Sequence, residues 1–265
     1  MTELTIGISP CPNDVFIFAG LILHQVESPF EFDFRFEDVE SLNHSAQLGK
    51  LDVVKISYAN YCRCNVTYEL LNCGGALGRG VGPLLLTGGD EFVPEAEFLV
   101  PGEFTTANFL LDYFLGREVP KRFVPFDEVY GVLSSNPSAQ GVVIHENRFT
   151  YEEDGLLLVQ DLGEHWEDET GYAIPLGAIV VKRDIGAAEE ISTAIRSSLS
   201  WAEKHRAEAL TLCREHAKEM RPDVIEKHIG LYVNEFSYDL GKEGRAAVDH
   251  FLALQAEQMK VTIPI

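Results

Sequence analysis

Positive charge is what this chain has least of. It carries 21 Lys and Arg against 42 Asp and Glu, a formal net charge of -21. Such a surface repels nucleic acid and anionic membrane, so neither is expected as a partner. An anionic small molecule would have to be captured by local cations or helix N-termini, because the overall field opposes it. Long apolar runs are missing too. The longest, such as Phe16–Leu23, fall well short of the ~20 residues a membrane helix needs. Met1-Thr2-Glu3-Leu4-Thr5-Ile6 has no basic stretch before an apolar one, so a secretory signal is not expected. The five cysteines (Cys11, Cys62, Cys64, Cys73, Cys213) are odd in number, and Cys62-x-Cys64 is too weak a spacing for a zinc site. They read as reduced thiols of a cytoplasmic protein. His-x-x-x-His, a P-loop lysine and Gly-x-Gly-x-x-Gly/Ala are all absent, so the motifs give no metal and no dinucleotide cofactor.

What is present is an ordinary globular composition, 46% hydrophobic and 24% charged over 265 residues, enough for one large or two medium domains. Thr5–Ser9 reads as a first strand and runs into Ser9-Pro10-Cys11-Pro12-Asn13-Asp14, a loop made rigid by its prolines. Asn13 or Asp14 is expected to cap a helix over Val15–His24. Phe32–Phe36 alternates as a strand should, and Glu37-Asp38 opens an amphipathic helix over Val39–Gly49. Asp52–Ile56 is a third strand, with Ser57 positioned to cap Tyr58–Cys62. The glycine-rich Gly74–Gly82 reads as a crossover ribbon and Pro83–Thr87 as a strand.

Thr87–Glu91 is a linker, after which strands and helices alternate afresh: strand 98–100, helix 105–115, strand 122–125, helix 127–133, strand 141–144. Gly163–Thr170, acidic and aromatic, is expected on the surface, and Ile174-Pro175-Leu176-Gly177 as a second linker before the strand Ala178–Val181. From Ala187 onward the pattern is helical, over 187–205, 207–220, 223–232 and 244–259. His205, His216, His228 and His250 are expected to be surface residues there.

Two linkers around a central α/β block imply a chain that leaves one lobe, builds a second and returns. The expected fold is α/β: two-lobed, like a type II periplasmic-binding protein, with a ligand cleft between lobes. The larger lobe would be 1–88 plus 178–265, the smaller 91–175, with hinges near 87–91 and 174–178.

Ligands in open α/β sheets sit beyond the carboxyl ends of the strands. That rule selects four groups: Ser9–Asp14 with Asn13; Lys55-Ile56-Ser57; Thr105-Thr106-Ala107-Asn108; and Ile144-His145-Glu146-Asn147-Arg148-Phe149-Thr150. Lys55 can pair a carboxylate, or it is a surface lysine whose stem lies along the protein. The hydroxyls and first-turn amides of Thr105-Thr106-Ala107-Asn108 make an anion seat, or Thr105 or Thr106 simply caps the helix, which is compatible with it. His145 is the one group that titrates near neutral pH. Arg148 either meets a substrate carboxylate or pairs with Glu146 or another acid. Such a set suits proton abstraction or addition–elimination on a small anionic organic substrate.

These motifs, in this order, resemble 1,4-dihydroxy-6-naphthoate synthase of the futalosine route to menaquinone. The resemblance rests on Ser9–Asp14 with Phe16-Ile17-Phe18, Glu37–Asn43, Lys55-Ile56-Ser57, Gly74–Gly80, Pro101-Gly102 with Thr105–Asn108, Ile144–Tyr151 and Ile174–Gly177, and covers about residues 4–182. It implies a two-lobed binding-protein fold used as a carbon–carbon lyase on cyclic dehypoxanthine futalosine. His145 would be the general base, and Lys55, Ile56, Ser57, Thr106 and Ala107 substrate contacts. No cofactor and no metal are implied. The alternative on the same fold is a non-catalytic binding protein for a small carboxylate.

Overall fold

A computed structural model describes residues 2–217 and 221–261. In chain order, β1 (Thr2–Ile8), α1 (Pro12–Ile22), β2 (Phe30–Phe36), α2 (Val39–Gln47), β3 (Val53–Ser57), α3 (Tyr61–Cys64), β4 (Tyr68–Leu70) and β5 (Ala76–Gly78) come first. There follow β6 (Leu84–Thr87), β7 (Phe98–Val100), α4 (Thr106–Leu115), β8 (Lys121–Phe123), α5 (Phe126–Ser135), β9 (Gln140–Val143), β10 (Leu157–Asp161) and α6 (Leu162–Thr170). The chain ends with β11 (Ile174–Lys182), α7 (Ala188–Lys204), α8 (Arg206–His216), α9 (Pro222–Tyr232), α10 (Glu235–Tyr238) and α11 (Gly241–Val261). The last three residues of the helix expected over 207–220 lie outside the described residues.

The chain forms two compact units, 1–77 with 175–265, and 78–174. In the first, the sheet runs β2-β1-β3-β11-β4, with β5 also on β11. β1 is parallel to both β2 and β3, so their carboxyl ends share one edge. β11 enters antiparallel between β3 and β4. Phe30, Phe32, Phe34 and Phe36 stand at the period-two positions of the edge strand β2, their rings 6.2–6.4 Å apart in succession, and pack on the core beneath α1. α1 is apolar and buried nearly all round, because α7, α8 and α9 all pack against it.

In the second unit the order is β10-β6-β9-β7-β8, with β7 parallel to β8 and β9 and the other pairs antiparallel. β6 pairs with β9 and β10, so Leu84–Thr87 belongs to this unit and the chain crosses into it at 77–78, inside the glycine-rich ribbon. The sequence pattern alone places that strand in the other lobe and the hinge after it. An isolated apolar strand carries no mark of which sheet will pair it. The expected linker at 174–177 is likewise the start of β11, since Gly177 pairs with Ser57 on β3.

Gly163–Thr170 also differs from expectation. It is nearly the whole of α6, and Trp166 on its inner face is fully buried against Phe109 and Tyr113 of α4. A helix with one large apolar residue among acids still buries that residue when a partner helix offers a face for it. Among the described residues, no helix is long and apolar enough to cross a membrane.

Gly82 and Gly163 meet backbone to backbone. A Cβ on Gly82 would lie 2.3 Å from the Cα and the amide nitrogen of Gly163. Both of these atoms are backbone, so the strand–helix junction must part to admit a methyl group. Gly82→Ala is expected to destabilise the protein by about 3 kcal/mol. Urea denaturation checks this; a loss below about 0.5 kcal/mol would mean the junction can open freely.

Candidate active site

The carboxyl ends of β1 and β3 carry one buried polar cluster. Lys55 (4% exposed) sends its Nζ to Asp14 Oδ1 (2% exposed) at 2.5 Å. Asp14 Oδ1 also accepts from Asn13 Nδ2 at 2.8 Å, and Oδ2 accepts from the Ser9 hydroxyl at 2.7 Å. Asn13 Oδ1 meets His228 Nε2 at 2.9 Å. Lys55 is therefore no surface lysine: it is an ammonium held in the interior by a carboxylate that has two other donors and lies in the first turn of α1, where the helix dipole favours negative charge. The expected helix start shifts accordingly. Pro12 opens α1 behind Cys11, a position where the missing N–H costs nothing, and Asn13 and Asp14 lie inside the helix with their side chains spent on the cluster. Across the sheet, β11 leaves room for the Lys55 stem with a glycine: a Cβ on Gly177 would lie 2.6 Å from Lys55 Cε.

Ser57 is buried at the end of β3 and makes no side-chain cap. Its hydroxyl accepts from Asn43 Nδ2 at 3.2 Å and its amide donates to Asn43 Oδ1 at 2.9 Å. The Ser57 hydroxyl thus acts toward Asn43 as an acceptor. Asn43 rides on α2, which Asp38 caps by accepting from the amides of Glu40 and Ser41. Ile56, fully buried between Lys55 and Ser57, pairs with Ala178 of β11 and holds its neighbours in register.

In the second unit, β7 and β9 are parallel, so the start of α4 and the segment after β9 stand at the same sheet edge. Thr105 caps α4: its Oγ1 accepts from the Asn108 amide at 3.2 Å and donates to the Gly102 carbonyl at 2.9 Å. Thr106 and Ala107 are buried in the first turn, where helix amides have no intrahelical acceptor and an anion is favoured.

His145 begins a 3-10 turn, His145–Phe149, directly after β9. Its φ is +62°, in the left-handed region, which costs a non-glycine residue roughly 1–3 kcal/mol and persists only when the surroundings enforce it. The half-buried ring meets Phe126 edge-on, centroids 4.9 Å apart and planes at 70°. Three residues on, Arg148 anchors the turn. Its guanidinium donates to the Gly82 carbonyl and, at 3.0 Å, to Asp161 Oδ2. The partner is Asp161 at the end of β10, not Glu146. Asp161 Oδ1 at the same time caps α6, accepting from the amides of Gly163 and Glu164. Thr150 closes the segment against Tyr130, whose hydroxyl donates to Asp154 at 2.6 Å.

Asn43, Asp161 and His228 complete this picture, and nothing in their spacing singles them out as site residues; Asp14 belongs to the strand-end group Ser9–Asp14. His228, expected on the surface, is fully buried, for α9 turns that face onto α1. His205 and His216 instead lie half-exposed, stacked on Trp201 and Phe36. The cysteines do not extend the chemistry. Burial pushes the Cys64 and Cys213 thiols up to about 12 and that of Cys73 to about 11, far from a nucleophilic thiolate. Among the described residues, no cluster of three or more His, Cys, Asp and Glu could hold a metal ion.

A mixed sheet in each unit, with polar groups at the carboxyl ends of parallel strands, is the fold of the periplasmic-binding type. Solved structures agree. A protein from Archaeoglobus fulgidus matches with a TM-score of 0.91 at 27% identity, over 98% of each chain. The alkanesulfonate-binding protein SsuA from Xanthomonas axonopodis shares the fold alone, at TM-score 0.68 and 13% identity over 97% of this chain and 94% of its own. The family model described as menaquinone biosynthesis matches residues 4–257. The 1,4-dihydroxy-6-naphthoate synthase of Thermus thermophilus is 43% identical over 100% of this chain and 97% of its own, and that of Streptomyces coelicolor 41% over 96% and 93%. The chain belongs to this menaquinone-biosynthesis family of 1,4-dihydroxy-6-naphthoate synthases.

The Arg148 anchor makes a thermodynamic prediction. Asp161→Ala removes a helix cap, worth about 1 kcal/mol, and strands a largely buried guanidinium. The expected loss is about 3 kcal/mol in urea denaturation. A loss of only about 1 kcal/mol would show that Asp161 contributes as a cap alone.

Proposed function

We propose that the protein converts cyclic dehypoxanthine futalosine to 1,4-dihydroxy-6-naphthoate in the cytoplasm, with His145 as the general base. The observation that carries this reading is the conformation of His145: a titratable ring held half-buried at a strand end, on a backbone that pays strain to stay there. An unconstrained histidine would relax out of the left-handed region. The reaction asks for a base that removes one proton, so that the carbon–carbon bond to the sugar-derived fragment breaks and the ring system becomes aromatic. Aromatisation supplies the driving force. The protein has to orient the substrate and move protons.

The substrate is anionic and the chain strongly acidic, so capture falls to local groups. Lys55 has three N–H donors and gives one to Asp14, leaving two for substrate oxygens. Ser57 adds its hydroxyl proton, and the amides at Thr106 and Ala107 add the positive end of α4. Asn13 acts through Asp14, to which its amide donates. Arg148, its guanidinium directed at Asp161 and Gly82, contributes by holding the His145 turn.

The test is an end-point assay of purified protein with cyclic dehypoxanthine futalosine. His145→Ala is expected to fold and to lose turnover by roughly 10²–10⁴-fold, the contribution of a positioned base. Near-wild-type activity in that variant removes His145 from the mechanism. Saturable binding by wild type without turnover would make the protein a carboxylate-binding protein on this fold. Lys55→Met is expected to raise KM by about tenfold or more, as loss of a charge-assisted hydrogen bond should.

A further inference from the structure

His228 lies on α9, 215 residues from Asn13, its partner in the polar cluster. It is fully buried, and its ring faces Tyr232 on one side, centroids 4.6 Å apart. The polarity of the cluster can be followed atom by atom. Asp14 as a carboxylate can only accept, and it already receives Lys55 and Ser9. Asn13 must therefore turn its amide nitrogen toward Asp14, which leaves its oxygen facing His228. An amide oxygen can only accept, so His228 Nε2 carries the proton. Were Nε2 unprotonated, Asn13 would be pulled round to donate to it, and its oxygen would face the Asp14 carboxylate, oxygen against oxygen. The Asp14 Oδ1 atom that receives Asn13 is the same atom that receives Lys55. Any rotation of Asn13 thus reaches the ammonium through one shared acceptor.

We propose that His228 is a positioning residue, whose Nε2–H pins the Asn13 amide and through Asp14 sets the direction in which Lys55 presents its remaining donors to the anionic substrate. The inference rests on the reading of Lys55 as a substrate contact. His228 touches neither substrate nor reacting atoms. Its effect falls on binding, whereas the proton transfer at His145 belongs to the other unit of the chain.

Two measurements test this. The first reads the ring directly: long-range ¹H–¹⁵N correlation on protein labelled with ¹⁵N-histidine is expected to show His228 Nε2 protonated. An unprotonated Nε2 overturns the proposal whatever the activity. The second compares steady-state kinetics of wild type, His228→Gln, His228→Phe and Lys55→Met, with thermal unfolding of each. A glutamine can place an amide N–H where Nε2–H stood, so His228→Gln should keep KM within about threefold. His228→Phe keeps the ring but not the donor, and KM should rise about tenfold with kcat within threefold, the size of one lost buried hydrogen bond. Equal KM values in both His228 variants, or a rise that follows the loss of melting temperature and not the missing donor, overturns the proposal. A raised KM in Lys55→Met beside an unaltered KM in His228→Phe overturns it alone. An unaltered KM in Lys55→Met removes Lys55 from the site and the proposal with it.

Discussion

An ammonium and a carboxylate are buried side by side at the ends of β1 and β3, and much of the first unit is arranged around keeping them there. Removing two charges from water costs several kcal/mol per ion, and mutual attraction offsets this only when the remaining donors and acceptors are also satisfied. Asp14 meets that condition with three donors from three elements: Lys55 on β3, Ser9 after β1 and Asn13 on α1. The parallel pairing of β1 and β3 brings the two strand ends to one edge, Pro12 starts α1 early enough to place Asp14 in its first turn, and Gly177 on β11 clears space for the lysine stem. An apolar pair of the same volume would cost less to bury. What the ion pair adds over an apolar pair is a lysine fixed at the ends of β1 and β3.

The second unit meets a different constraint, a backbone held where it would not rest. His145 occupies the left-handed region, and the turn that follows it is fastened at Arg148 and Thr150. Arg148 reaches two elements that are themselves locked together, because Gly82 and Gly163 touch backbone to backbone and Asp161 both caps α6 and receives the guanidinium. Strain at one residue is thus opposed by rigid packing a few residues away. That is how a left-handed backbone at His145 can persist although the residue is only half-buried.

Strand-end chemistry was legible in the sequence because it is local. Short apolar runs ending in Ser9–Asp14, Lys55–Ser57, Thr105–Asn108 and His145–Arg148 announce strands that deliver polar groups, and the periodicities of α2, α4, α7 and α11 announce helices. Other features depended on partners far along the chain. Trp166 looked like one aromatic in an acidic surface segment until α4 supplied a face for it. Leu84–Thr87 looked like a last strand of the first lobe, but β9 and β10 pair with it. Ile174–Gly177 looked like a linker because proline and glycine punctuate it, yet both are tolerated at the start of β11.

By itself the sequence determined the α/β class, the order of most elements, the family and the side chains available for chemistry, since each of these is written in local pattern or in ordered motifs. Only the tertiary structure decided what those side chains are bonded to. Lys55 could have been a surface cation and became a buried one through Asp14; Arg148 was open between a substrate carboxylate, Glu146 and another acid, and that other acid is Asp161; His228 read as a surface residue and became the far end of a buried chain. The physical reason is one and the same. A charged or polar side chain carries no signal of its own burial, because burial becomes tolerable only when partners brought from distant segments satisfy its hydrogen bonds, and those partners meet only in the folded chain.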